Sequence, residues 1–259
     1  MRFLFKTLLL VVVLVGLPAW AIYNKPLESA RLFPMFPSIE SMPLSPDTPR
    51  TVTKGSNTLL EPINGKYVYL KDMPASLSKA VVAVEDQRFY QHKGIDPRGI
   101  SRAIFNNLLK QGFVEGGSSI TQQLARNLYL SQTTTAERKL TEALLALQLE
   151  EYYRDKDKIL ELYLNNIYFG RNAWGIGSAA VIYFGKEDVS ALSVSEAAFL
   201  AGLPQSPSFF ADDINAAQNR QKTVIRKMKE QGYLEDSFVN QPPKVKAWYN
   251  AGVSKQKSL

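Results

Sequence analysis

Two glutamates sit where a carboxylate has chemical use. Ala80-Val81-Val82-Ala83-Val84 is apolar around the full circumference of a helix and runs straight into Glu85-Asp86, while Glu142 precedes Ala143-Leu144-Leu145-Ala146-Leu147, apolar in the same way. Desolvation at such positions favours the protonated carboxyl, the condition a general acid or base working near neutral pH requires. For Glu142 the plainer alternative is a surface ion pair with Arg138 at i−4 or Lys139 at i−3. Between the glutamates lies Gly116-Gly117-Ser118-Ser119-Ile120-Thr121-Gln122-Gln123. Two glycines suit a tight turn, the serines offer hydroxyls and a cap, and the amides at a helix N-terminus suit an anion. An ordinary loop ending in a serine N-cap gives the same pattern. Arg126, one turn further, and Arg138-Lys139 add cations able to face the same anion.

Helices must position these groups. Asp96-Pro97 is an N-cap followed by proline at the first helical position, and Ile100, Ala103, Ile104 and Leu108 then recur at helical spacing until Gly112. Ser119 with Gln122, Thr134 with Glu137 and Ser193 with Glu196 have capping-box spacing, which predicts helix starts near 120, 135 and 194. Further helices are expected at about 76–91, 156–168, 176–184 and 214–231. Thr51-Val52-Thr53 and Tyr67-Val68-Tyr69-Leu70, around Gly55 and Asn64-Gly65, read as one or two short strands with a turn. Without repeats or alternating strand and helix units, the fold class is mainly α.

The chain has 259 residues, 45% hydrophobic and 21% charged, which is ordinary globular composition. Absence of cysteine removes disulfides, thiolate metal sites and a cysteine nucleophile, and a lone histidine, His92, leaves no multi-histidine metal site. No Gly-x-Ser-x-Gly elbow accompanies His92, which reads as structural, fixing its loop through Asp86 or backbone. The net charge of +7 suits a polyanion, an anionic membrane surface or a phosphate-bearing substrate.

Residues 7–24 carry no charge and follow Arg2 and Lys6. The stretch is long enough to span a bilayer, yet Ala19-Trp20-Ala21 also fits a signal-peptidase site. A retained single-pass anchor is favoured over a cleaved segment. Either way the remainder lies outside the cytoplasm, so no nucleic-acid partner is expected. The organisation expected is an anchor or signal segment at 1–24, a proline-rich linker and short strands at 25–66, a helical catalytic domain at 67–235 and a tail at 236–259.

Taken together, the motifs resemble a family. Glu85-Asp86-Gln87-Arg88-Phe89-Tyr90-Gln91-His92-Lys93-Gly94 is similar to the first motif of the peptidoglycan glycosyltransferases, the transglycosylase modules of class A penicillin-binding proteins and of monofunctional transglycosylases. Gly116 to Gln123, Arg138-Lys139-Leu140-Thr141-Glu142, Lys158 to Asn165 and Arg220 to Ile225 resemble the following four, in order, across about Tyr67 to Glu235. The resemblance implies a lysozyme-like helical domain with a smaller membrane-facing jaw lobe. It also implies polymerisation of lipid II by inverting attack of a GlcNAc 4-hydroxyl on a MurNAc-diphosphate-polyprenyl donor.

By the same resemblance Glu85 is the general base and Glu142 acts near the diphosphate, with Asp86, Ser118, Gln123, Arg126, Arg138 and Lys139 binding substrate. It implies lipid II, the growing glycan strand, the membrane and other cell-wall synthesis proteins as partners. The expected location is the bacterial inner membrane, with the catalytic domain on the periplasmic or extracellular side. No organic cofactor and no protein metal site are expected, and a divalent cation, Mg or Mn, stays open. The cluster Ile104, Phe105, Leu108, Leu109 and Phe113 matches the family's lipid-dipping jaw, with plain core packing as the alternative.

Three departures stand out: Ser119 replaces a threonine, Arg126 a lysine, and Thr134 an arginine usual eight residues before the second glutamate. The chain ends soon after the fifth motif, so the expectation is a monofunctional enzyme. A lysozyme-like hydrolase acting on finished glycan and a non-catalytic, lipid II-binding membrane scaffold are the competing readings.

Overall fold

A computed structural model of the chain describes residues 67–109, 116–130 and 136–245. Within them nine α-helices follow one another: α1 (Ala75–Glu85), α2 (Pro97–Leu109), α3 (Ile120–Tyr129), α4 (Ala136–Tyr153), α5 (Lys156–Asn166), α6 (Gly175–Phe184), α7 (Val194–Gly202), α8 (Pro207–Asp212) and α9 (Ile214–Glu230). The mainly helical class is as expected. Among the described residues the one extended pairing is an isolated bridge between Tyr168 and Trp174, and no helix is long and apolar enough to cross a membrane. The anchor or signal segment at 1–24, the linker at 25–66, Gly112, Phe113, Thr134 and the tail beyond 245 lie outside the described residues.

Side-chain caps set the helix starts that matter. Ser119 accepts the Gln122 N–H while the Gln122 side chain accepts the Ser119 N–H, so α3 opens with a complete capping box. Ser193 and Glu196 open α7 identically. Asp96 accepts from the Gly99 N–H at the start of α2. Helix α1 stops at Glu85, short of residue 91, and a loop with one 3-10 turn (Phe89–Gln91) follows. Helix α8, short and opened by proline, carried no periodic signal.

Helices α1, α7 and α9 pack on one another, and α3 lies against α4 and α5, with α6 beyond α5. As expected, α1 buries every residue from Ala80 to Val84, and it buries Leu77 as well, each larger aliphatic contributing about 1.5–3 kcal/mol. A helix C-terminus leaves four carbonyls without partners inside the helix. Here the Lys227 Nζ donates to Val84 O at 3.3 Å and the Gln231 Nε2 to Ala83 O at 3.1 Å. The last long helix thus closes the end of the first, next to Glu85.

The strand expected at 67–70 is not formed. Tyr67-Val68-Tyr69 is outside any helix and Leu70–Asp72 is a 3-10 turn. The backbone finds side-chain partners on α5 in place of a neighbouring strand: Asn165 accepts the Val68 N–H at 2.9 Å and donates to Val68 O at 2.8 Å. Glu161 accepts the Leu70 N–H at 2.8 Å and the Tyr67 hydroxyl at 2.5 Å, and pairs with Lys158 at 2.6 Å. With its polar groups satisfied in this way the segment needs no ladder.

Burial pushes the Glu161 carboxyl up, but the Leu70 N–H, Lys158 and Tyr67 outweigh it and hold the group below its ordinary value. A carboxyl lowered on folding stabilises fully above its unfolded value, and that stabilisation is lost as pH falls through the folded one. Glu161→Gln is therefore expected to cost about 1.5–3 kcal/mol at neutral pH. Thermal melts of both proteins check this: their gap should close as pH falls below about 4, and a gap independent of pH would contradict it.

Candidate active site

The site is built outward from a buried junction. Asp86, 6% exposed, caps the end of α1 and accepts from His92 Nε2 at 2.9 Å and from the Ile120 N–H at 3.1 Å. A carboxylate only accepts, so His92 carries its proton on Nε2, in the loop-fixing role read from the sequence. Ser119, the cap of α3, donates to Gly94 O. Gly94 has φ +85°, and a Cβ there would lie 2.9 Å from Ala146 O of α4, so the loop crosses α4 only as glycine. These contacts lock the end of α1 against the start of α3.

Glu85 consequently projects beside α3. Its Oε2 accepts from Gln123 Nε2 at 2.8 Å, and Gln123 Oε1 accepts from the Tyr163 hydroxyl of α5 at 3.1 Å. Arg220 of α9 lies 3.6 Å from Glu85 Oε1, with side-chain exposures of 16% and 10% respectively. That spacing is an ion pair and leaves Oε1 without a hydrogen bond among the described residues, an acceptor still available to a hydroxyl.

A second cluster forms at the other side of the glycine turn. The Glu142 side chain is fully buried and accepts from Lys139 Nζ at 2.5 Å, with Arg138 at 3.5 Å. Lys139 also donates to Ser118 Oγ at 2.7 Å and is 47% exposed. Both ion-pair partners foreseen for Glu142 are present, but around a buried carboxylate. Lys139 therefore holds an ammonium at the surface between the carboxylate and the serine preceding the α3 cap. That places two cations and a serine hydroxyl together, as binding of a phosphate-like anion requires.

The structure thus brings Glu85 and Gln123 together, and separately Ser118, Arg138, Lys139 and Glu142. Arg126 is half-buried one turn below Gln123, where its charge acts on the Tyr163 phenol. Asp86 faces inward, with its carboxylate occupied by His92 and Ile120. Tyr163 and Arg220 belong to the fourth and fifth sequence motifs respectively but were not singled out as site residues. The signal for both was motif membership, since neither has a local pattern that ties it to Glu85.

Residues 53–229 match the Transglycosylase family model. The chain belongs to the transglycosylase family. It is 46% identical over 194 residues to penicillin-binding protein 1A/1B of Bacillus subtilis (strain 168), covering 74% of this chain and 21% of that protein. It is 43% identical over 223 residues to penicillin-binding protein 1A of Neisseria lactamica, covering 83% and 28%. A crystal structure of penicillin-binding protein 1A from Haemophilus influenzae aligns with 76% of this chain and 19% of its own, at 20% identity and a TM-score of 0.36. The chain spans about a quarter of the length of the curated relatives it matches.

In this transglycosylase the approach of α7 to α9 controls Arg220. A Cβ on Gly202 would stand 2.8 Å from Arg220 Cγ, so any larger residue displaces the arginine stem. Gly202→Ala is expected to move the guanidinium off Glu85 and slow glycosyl transfer on the order of tenfold, equivalent to about 1.4 kcal/mol, without unfolding the protein. Turnover measured alongside a melting curve checks it, and unchanged turnover would show that Arg220 does not serve Glu85.

Proposed function

We propose that this chain polymerises lipid II, with Glu85 as the general base that takes the proton of the acceptor GlcNAc 4-hydroxyl. The freed oxygen attacks the anomeric carbon of the donor MurNAc, the bond to the diphosphate-polyprenyl carrier breaks, and the configuration inverts to a β-1,4 link. The observation carrying this reading is the Glu85 carboxylate itself. It is 10% exposed, fastened on one oxygen by Gln123 and left with an acceptor face on the other. Arg220 keeps a positive charge beside it, 3.6 Å from Oε1.

The departing diphosphate needs compensation of negative charge more than a strong acid. Lys139, Ser118 and Arg138 supply it, and Glu142 orients Lys139 from below. A divalent cation, Mg or Mn, stays open in this reading. Phe105, Leu108 and Leu109 of α2 are 60%, 57% and 65% exposed. That argues against plain core packing and supports a lipid-facing jaw. The uncharged run at residues 7–24 supports membrane attachment, with this domain outside the cytoplasm.

Glu85→Gln removes the base and keeps the shape. Polymer formation from lipid II is expected to fall by about 10²–10⁴, with fold and membrane association intact. Activity within a few-fold of the parent would reject Glu85 as the base. Release of fragments from isolated sacculi would favour the hydrolase, and lipid II binding without turnover the scaffold.

A further inference from the structure

We infer that Tyr163 is a positioning residue for Glu85 and acts through Gln123, an inference that rests on the catalytic reading above. Tyr163 is fully buried on α5 and Gln123 is 8% exposed on α3. Their side chains form a chain of two hydrogen bonds: Tyr163 hydroxyl to Gln123 Oε1 at 3.1 Å, and Gln123 Nε2 to Glu85 Oε2 at 2.8 Å. Its direction follows from chemistry. An ionised carboxylate accepts and cannot donate, so the amide must turn its nitrogen toward Glu85 and its oxygen toward Tyr163. The phenol then has to donate. Burial, then the negative charges of Glu85 and Asp86, push the phenol well above its ordinary value against the pull of Arg126, so the donor is always present.

Without that hydroxyl, the Gln123 oxygen is buried with no donor, and only the contact with Glu85 still holds the amide. An amide no longer fastened from α5 lets the Glu85 carboxylate shift, so that Oε1 is not held toward the acceptor hydroxyl. Substrate affinity does not depend on this contact, whereas proton abstraction does. The effect therefore belongs to turnover.

The test compares full-length parent, Glu85→Gln, Tyr163→Phe, Gln123→Leu and the Tyr163→Phe/Gln123→Leu pair on lipid II. Alongside, the 13C carboxyl resonance of Glu85 is followed at neutral pH. Polymerisation by the parent and its loss in Glu85→Gln report on the catalytic reading alone. For the relay, Tyr163→Phe is expected to lower kcat about 10–100-fold with KM changed less than about twofold, and to add nothing further in the Gln123→Leu background. The Glu85 resonance should move in the same direction in both single variants. Multiplicative losses in the pair, or an unmoved Glu85 resonance in Tyr163→Phe, overturn the inference. If the parent makes no polymer the catalytic reading fails, and the resonance alone decides the relay. If Tyr163→Phe does not fold, Gln123→Leu decides by the same signal: a moved Glu85 resonance supports the relay and an unmoved one overturns it.

Discussion

The Asp86 carboxylate holds this structure to its purpose. It is charged and buried, a combination that costs several kcal/mol unless each lone pair finds a donor. His92 Nε2 and the Ile120 N–H are those donors, and the charge also acts on the half-buried Lys156. Three otherwise independent segments, the end of α1, the loop to His92 and the start of α3, therefore have one arrangement. Because Glu85 is the neighbouring residue, its backbone has no freedom left to drift.

Helix α3 then serves both halves of the site. Ser118, just before its cap, binds Lys139, while Gln123, further along, faces Glu85. One rigid element thus spaces the basic carboxylate from the cationic cluster. Helix α9 completes the frame from the opposite side. Lys227 and Gln231 bind the last carbonyls of α1, and Arg220 lies against the carboxylate. In the proposed reaction, acid–base work and charge neutralisation fall to different groups, as expected where the leaving group is a stable anion rather than an alkoxide.

The sequence revealed what is local. Capping boxes at Ser119 and Ser193 predicted helix starts to the residue, because both partners lie within one turn. The fully apolar stretch before Glu85 correctly signalled a buried helix. Contacts made across long separations were not legible. The alternation of Tyr67-Val68-Tyr69-Leu70 looks like a strand, and only the fold brings Asn165 to replace a ladder partner. The partners of Asp86 lie six and 34 positions away and point it inward, and the more distant, Ile120, had no signal in the motif that carries Asp86. Arg220 and Tyr163 were present as motif letters, but their contacts with Glu85 and Gln123 required packing of α9 and α5.

The claim on which the account turns is that Glu85 meets the acceptor hydroxyl. A structure of the protein with a non-reactive donor analogue and an acceptor glycan bound would measure this directly. The account predicts the GlcNAc 4-hydroxyl oxygen at about 2.6–3.2 Å from Glu85 Oε1, with Gln123 still on Oε2 and the diphosphate beside Lys139. A carboxylate facing only Arg220 and Gln123, with the hydroxyl paired to another residue, would contradict it.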